Sequence, residues 1–177
     1  ARSMQISSDI KAATQYNENI KDTSNWLDTT DTALQQLEKS FQRVRELMIS
    51  AGSASYGEDE KRAIKDEINE KVNEVAQILN TTFDGKYIFG GTKVNSKPVN
   101  SKAVASQNGE KSNELSYSNN LGKEMVEPKN PLDPTKPKDP ATLTDEEKLY
   151  YKYLNQIKSP LEVEVSQGVP MKYNVTA

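Results

Sequence analysis

Residues 2–51 read RSMQISSDIKAATQYNENIKDTSNWLDTTDTALQQLEKSFQRVRELMISA, with no proline and no glycine to interrupt a helix. Within that stretch Ile6, Ala13, Ile20, Leu27, Leu34, Phe41 and Met48 recur every seven residues. A second track, three residues further on, reads Tyr16, Thr23, Thr30, Leu37, Val44 and Ala51. Seven-residue spacing keeps one stripe on one face of a gently supercoiled helix. The fifty-one residues before Gly52 make a rod of roughly 75 Å. The second track is apolar only from Leu37 onward, so the stripe is strong in the C-terminal half of the rod and thin in the N-terminal half.

Gly52 to Asp59 (GSASYGED) is a turn by composition, and Glu58, Asp59 and Glu60 suit the positive end of a following helix. That helix, about 58–82, carries Ile64, Ile68, Val72, Val75 and Leu79 at helical spacing. A short loop makes it an antiparallel neighbour of the first helix, covering residues near 28–52. Ile6, Ile10 and Ile20 are then left without a partner, although a helix is stabilised mainly by burying its apolar face. An intramolecular bundle core and packing between subunits both remain open as readings of the stripe. The uncovered half favours the second. The chain starts inside the repeat without an initiator Met and stops at Val175-Thr176-Ala177 inside an apparent strand, so it reads as a fragment of a longer protein.

Composition removes most chemistries. Apolar residues make up 34% of the 177, mean hydropathy is −0.82 and the formal net charge is −3. This mild, mixed balance has no footprint for nucleic acid or an anionic membrane. The sequence has no cysteine, which excludes disulfides and thiol catalysis. It has no histidine either, which excludes Ser-His-Asp triads and an H-E-x-x-H zinc site. Gly85, Gly90 and Gly91 fit neither dinucleotide nor Walker spacing. The acidic runs 58–60 and 145–147 sit at helix starts, where they complement the dipole. No catalytic residue, metal ligand or cofactor is nominated.

All eight prolines fall between Pro98 and Pro170 and divide the chain. The expected fold class is α+β: a long antiparallel α-helical hairpin over 1–92, with an Asp84-Gly85 turn at its end, and a small β-rich outer domain over 93–177. Tyr87-Ile88-Phe89 is strand-prone, and Lys102–Ala105 and Glu114–Ser118 flank an Asn108-Gly109 turn. Prolines at 128, 131, 134, 137 and 140 recur every third residue, the period of a polyproline II spacer within 126–142. Thr144 and Glu147 have capping-box spacing for a helix over 145–158. Leu161, Val163 and Val165, then Met171, Tyr173 and Val175, alternate with polar residues as a hairpin with one buried face.

The stretch Trp26–Leu47 resembles the D1 core helix of bacterial flagellins, in which an Ala-Leu pair is followed by Leu-Gln-Arg-Val-Arg-Glu-Leu. Here that run is Phe41, Gln42, Arg43, Val44, Arg45, Glu46 and Leu47, with Phe41 in place of Leu. Leu79–Gly91, with Phe83, Gly85, Tyr87, Phe89, Gly90 and Gly91, is more similar to the hook–filament junction branch of that superfamily than to filament flagellins. The resemblance covers residues 1–92. It implies a non-enzymatic structural protein of the bacterial flagellum, exported by the type III route to the cell exterior. It also implies an inner segment before Ala1 and a returning helix after Ala177. Its implied partners are hook-associated protein 1, flagellin, identical subunits in a ring and an export chaperone before secretion. The assembly interface would use Ile6, Ile10, Ile20, Leu27, Leu34, Leu37, Phe41, Val44 and Met48. A filament flagellin and an extracellular coiled-coil adhesin are the alternatives.

Overall fold

A computed structural model describes residues 2–53, 55–105 and 109–177. With nothing to break it, the first helix, α1 (Arg2–Ala51), runs 50 residues, about 75 Å. Gly52 and the turn after it reverse the chain into α2 (Glu58–Leu79), 22 residues long. Gly57 at the N-cap of α2 has no side chain to accept the free amides, so Glu58, Asp59 and Glu60 complement that end electrostatically. Cross-helix pairs fix the antiparallel order. The Arg43 Nε donates to Glu67 Oε1 at 2.7 Å, and the Ser40 hydroxyl donates to Glu74 Oε1 at 2.7 Å.

Helix α2 ends at Leu79, three residues before the expected boundary. The Asn80 side chain bonds the Val99 backbone, and Thr81 begins the turn into β1 (Thr82–Phe83). Strand β1 pairs with β2 (Lys86–Tyr87) across Asp84-Gly85. Both turn residues have positive φ, 48° and 71°, as a type I′ hairpin turn requires. The expected strand Tyr87–Phe89 stops at Tyr87. Ile88 and Phe89 instead enter a tight turn closed by the Gly90 amide on the Tyr87 carbonyl, and both side chains are fully buried.

The remaining chain forms three more two-stranded hairpins and one helix. Strands β3 (Val99–Ala105) and β4 (Lys111–Tyr117) pair over seven residues, longer than the sequence implied. Gly109 has the positive φ of a turn residue, while Asn108 lies outside the described residues. The proline-rich stretch departs from expectation. Lys129–Asn130 (β5) and Asp133–Pro137 (β6) pair as a hairpin, and Pro140–Thr142 forms a short 3-10 turn. Prolines are tolerated at such an edge because their missing amides face away from the ladder. Helix α3 (Asp145–Lys158) starts at the expected capping box: Glu147 N donates to Thr144 Oγ1 at 3.3 Å, and Thr144 N donates to Glu147 Oε2 at 2.7 Å. Strands β7 (Glu162–Ser166) and β8 (Val169–Lys172) make the final hairpin. Its inner face is only half-buried at Val163 and Val165, and β8 is exposed throughout.

The core sits where these pieces meet α1. Trp26, Ala33 and Leu37 pack with Val75, Ile78, Ile88 and Phe89, and Phe83, Leu161, Tyr173 and Ala177 close around them. Trp26 meets Phe83 and Tyr173 edge-on, with ring centroids at 6.1 and 5.4 Å. Backbone bonds from Thr92 N to Gln156 O and from Ala177 N to Phe89 O tie residues on either side of position 92 together.

Candidate assembly interface

The buried residues of α1 are Thr23, Trp26, Thr30, Ala33, Leu37, Ser40 and Leu47. They fall on two tracks. Thr23, Thr30 and Leu37 belong to the second track of the sequence; Trp26, Ala33, Ser40 and Leu47 form a third, also spaced by seven. At 3.5 residues per turn these tracks lie roughly 50° and 100° around the helix from the Ile6–Met48 stripe. Small side chains at Ala33 and Ser40 let α2 approach, and the Thr30 hydroxyl satisfies itself on the Trp26 carbonyl at 2.8 Å. Periodicity alone ranks the aliphatic stripe above this mixed face. The signal that finds the third track is the single Trp, the largest apolar side chain of the helix, with small residues at its seven-residue successors.

This placement corrects the expected cover in two ways. Helix α2 lies on the second and third tracks, so it leaves the stripe open even within 28–52. Ile6, Ile10, Ile20, Leu27, Leu34, Phe41 and Met48 are 41–63% exposed. Leu37 is buried against Val75 and Ile78 of α2 and Val44 is half-buried, so these two belong to the inner tracks, with Leu37 reaching the edge of the open face. Cover also reaches further toward the N-terminus than α2 could extend, because the 161–173 region packs on α1. The Asn19 side chain donates to the Glu164 carbonyl at 2.8 Å, and Tyr173 closes on Trp26. Residues 2–15 are exposed throughout.

The open face is apolar with a charged rim. Leu34, Leu37 and Phe41 floor a groove of about 530 Å³ edged by Glu38, Gln42 and Arg45. Within the flagellin-like run, Gln42, Arg45 and Glu46 are exposed and Leu47 is buried. Arg43 is engaged: its guanidinium reaches Glu67 at 2.7 Å and Glu46 at 3.3 Å, and the bond to it holds the Glu67 carboxyl below the usual range. Lys71 and the Ser40 hydroxyl do the same for Glu74. Charge here registers α2 on α1 and leaves the stripe free of ion pairs.

The second cluster of motif residues joins the helices to the rest of the chain. Phe83 lies against Trp26, Gly85 completes the turn, and half-buried Tyr87 donates its amide to Val94 O at 2.9 Å. Phe89 fills the core, and Gly90 and Gly91 permit close approaches. A Cβ at Gly90 would stand 2.5 Å from Lys93 O; one at Gly91 would stand 2.3 Å from both Gln156 O and Ile157 O. Gly91 therefore serves packing against the end of α3, and Gly90 the tight turn from Tyr87 to Lys93. Just beyond, the Lys93 ammonium is buried among Ser96 O, Lys97 O and Ser118 Oγ, and burial pushes its pKa down to about 8.

Among the described residues no group of acids could hold a metal ion, and no helix is long and apolar enough to cross a membrane.

Comparison with known proteins places this geometry. Two Salmonella flagellins, the phase 1 flagellin of Salmonella naestved and a flagellin of Salmonella budapest, are each 33% identical over 89 residues, half of this chain. The chain spans 17% of the length of those flagellins. A Vibrio parahaemolyticus protein assigned as a flagellar hook-associated protein superposes with a TM-score of 0.62 at 16% identity, over 98% of this chain and 58% of that one. Xanthomonas campestris FlgL superposes at 0.61 with 19% identity, over 96% of this chain and 40% of that one. These likenesses show that the long helix, the helical return and the hairpins are a shared fold. Residues 1–94, more than half of the chain, match the model of the bacterial flagellin N-terminal helical region, and the chain belongs to that family.

Proposed function

We propose that this chain is a structural subunit of the bacterial flagellum, an adaptor at the junction between hook and filament that acts by helical self-assembly and not by catalysis. The observation that carries the reading is the seven-spaced stripe of α1, open from Ile6 to Met48 in a flagellin-family helix. An apolar face about 63 Å long is costly in water and matches the periodicity of another helix. Covering it with protein from outside residues 1–177 fixes the subunit in a lattice. The fold likeness to hook-associated proteins supports the junction over the filament proper.

On this reading the stripe residues Ile6, Ile10, Ile20, Leu27, Leu34, Phe41 and Met48 carry the contacts. Heterologous contacts of this kind close into a ring of identical subunits, with hook-associated protein 1 on one axial side and flagellin on the other. Residues 1–92 form the lattice layer and 93–177 an outer domain. The protein works outside the cell and meets an export chaperone before type III secretion.

A deletion strain tests this by electron microscopy. The account expects hooks without filaments and flagellin released into the medium; complete filaments contradict it. The 33% identity to filament flagellins supports a second reading, a filament subunit. In that case the same strain loses the filament and releases no flagellin.

A further inference from the structure

Beside the Ile6–Met48 stripe, on the side away from the two buried tracks, α1 carries another row spaced by seven: Ile10, Asn17, Ser24, Asp31, Glu38 and Arg45. At 3.5 residues per turn it lies roughly 50° around the helix from the stripe. All six side chains are exposed. Glu38 and Arg45 edge the groove floored by Leu34, Leu37 and Phe41, so this row borders the apolar face directly. Its chemistry changes in order along the helix. It is apolar at Ile10, neutral and polar at Asn17 and Ser24, acidic at Asp31 and Glu38, and basic at Arg45.

The three charges are not satisfied inside the chain. Ion pairs along one helix join residues three or four apart, as Arg43 with Glu46 and Lys71 with Glu74 do here. At those distances on either side of Asp31, Glu38 and Arg45 stand only Leu, Phe, Met, Ile, Gln and one further acid, Asp28. Asp28 and Asp31 are like charges three apart, which is unfavourable until a cation from outside meets them. The side-chain bonds to the two acids come from neutral amides, Gln35 Nε2 to Asp31 Oδ2 at 2.8 Å and Gln42 Nε2 to Glu38 Oε1 at 3.4 Å. Among the described residues, none of the three charges forms an ion pair.

We propose that the stripe is covered by an amphipathic helix whose apolar seam is flanked by basic side chains opposite Asp31 and Glu38 and by an acid opposite Arg45. Charges flanking a helix–helix seam set partner and register more than raw affinity. A seam of seven-spaced apolar residues alone tolerates a slide of one heptad. Such a slide brings a basic side chain of the partner onto Arg45, so the change of sign between Glu38 and Arg45 holds one register. The proposal deepens the reading of the stripe as an assembly interface, rests on it, and gives the covering helix its chemistry.

Two synthetic helical peptides test this. They share one leucine heptad seam and carry either Lys or Glu at every flanking position. Each is labelled with fluorescein and titrated with the purified full chain, with binding read by anisotropy. The Lys-flanked peptide is expected to bind about fivefold or more tighter, with the gap closing as salt is raised. Asp31→Lys with Glu38→Lys is expected to reverse the preference, and Arg45→Glu to widen it. The same charge change on α2, Asp66→Lys with Glu70→Lys, is expected to leave it in place. All five positions are exposed, and far-UV circular dichroism of each variant checks that the fold is kept. Equal binding of the two peptides, binding of neither, or a preference that answers to the α2 change as it does to the α1 change overturns the proposal. The deletion strain reports on the junction reading separately, so either can fail alone.

Discussion

Gly91 and Gly85 both have positive φ, 57° and 71°, yet they answer to different constraints. Around Gly85 a Cβ would meet nothing within 4 Å, so Gly85→Ala adds only the backbone penalty of about 1–2 kcal/mol. At Gly91 the same atom would collide with two carbonyls ending α3, so Gly91→Ala is expected to cost well above that, about 3 kcal/mol or more, in urea unfolding. The turn dipeptide Asp84-Gly85 was legible from sequence because its chemistry is local. The demand on Gly91 was not, since its partners lie 65 residues away in α3. Lys93 repeats the lesson: nothing beside it in the chain marks it as buried. Its pKa is lowered in the folded protein, to about 8, so the unfolded chain binds more protons between pH 8 and its ordinary value near 10.5. Unfolding free energy is therefore expected to rise from pH 8 to 9.5, and Lys93→Met is expected to remove that rise. A variant with the same slope as the parent would contradict the assignment.

At the scale of elements, α1 has two faces and the sequence ranked them in the wrong order. The aliphatic stripe was plain, as were the antiparallel return, the capping box at Thr144 and the 161–175 hairpin. Which face α2 would take was hidden, because the buried tracks mix Thr, Ser and Ala with one Trp and score as polar. Proline periodicity misled for a similar reason: period three fits polyproline II, but pairing of Lys129 with Pro137 organises the stretch as a hairpin. Truncation separates the two faces. Trp26→Ala is expected to destabilise the isolated chain by about 3–5 kcal/mol, and Phe41→Ala by about 0.5 kcal/mol or less, both read by urea midpoint. Equal losses would place Phe41 inside the chain.

For the whole molecule, the core is narrow and much of the rest is held by polar bonds, some between elements and some within one. Glu67, Glu74, Glu110, Asp133 and Glu147 are all held below their ordinary pKa by bonds to Arg43, Lys71, Lys65, Thr135 and the Thr144 amide respectively. Their contribution is complete above about pH 4.5 and is lost as pH falls through the lowered values, so thermal midpoints are expected to drop on acidification below that point. A midpoint unchanged down to pH 3 would contradict it. None of these ties reaches the Ile6–Met48 stripe, which is open in this chain and which the proposed function covers with other protein. The direct measurement is maleimide labelling of Ile20→Cys and Phe41→Cys, in the purified chain and in flagella isolated from a strain whose own copy carries the same change. The account predicts full labelling of the purified chain and protection of both sites in the assembled flagellum. Equal labelling of both samples would contradict it.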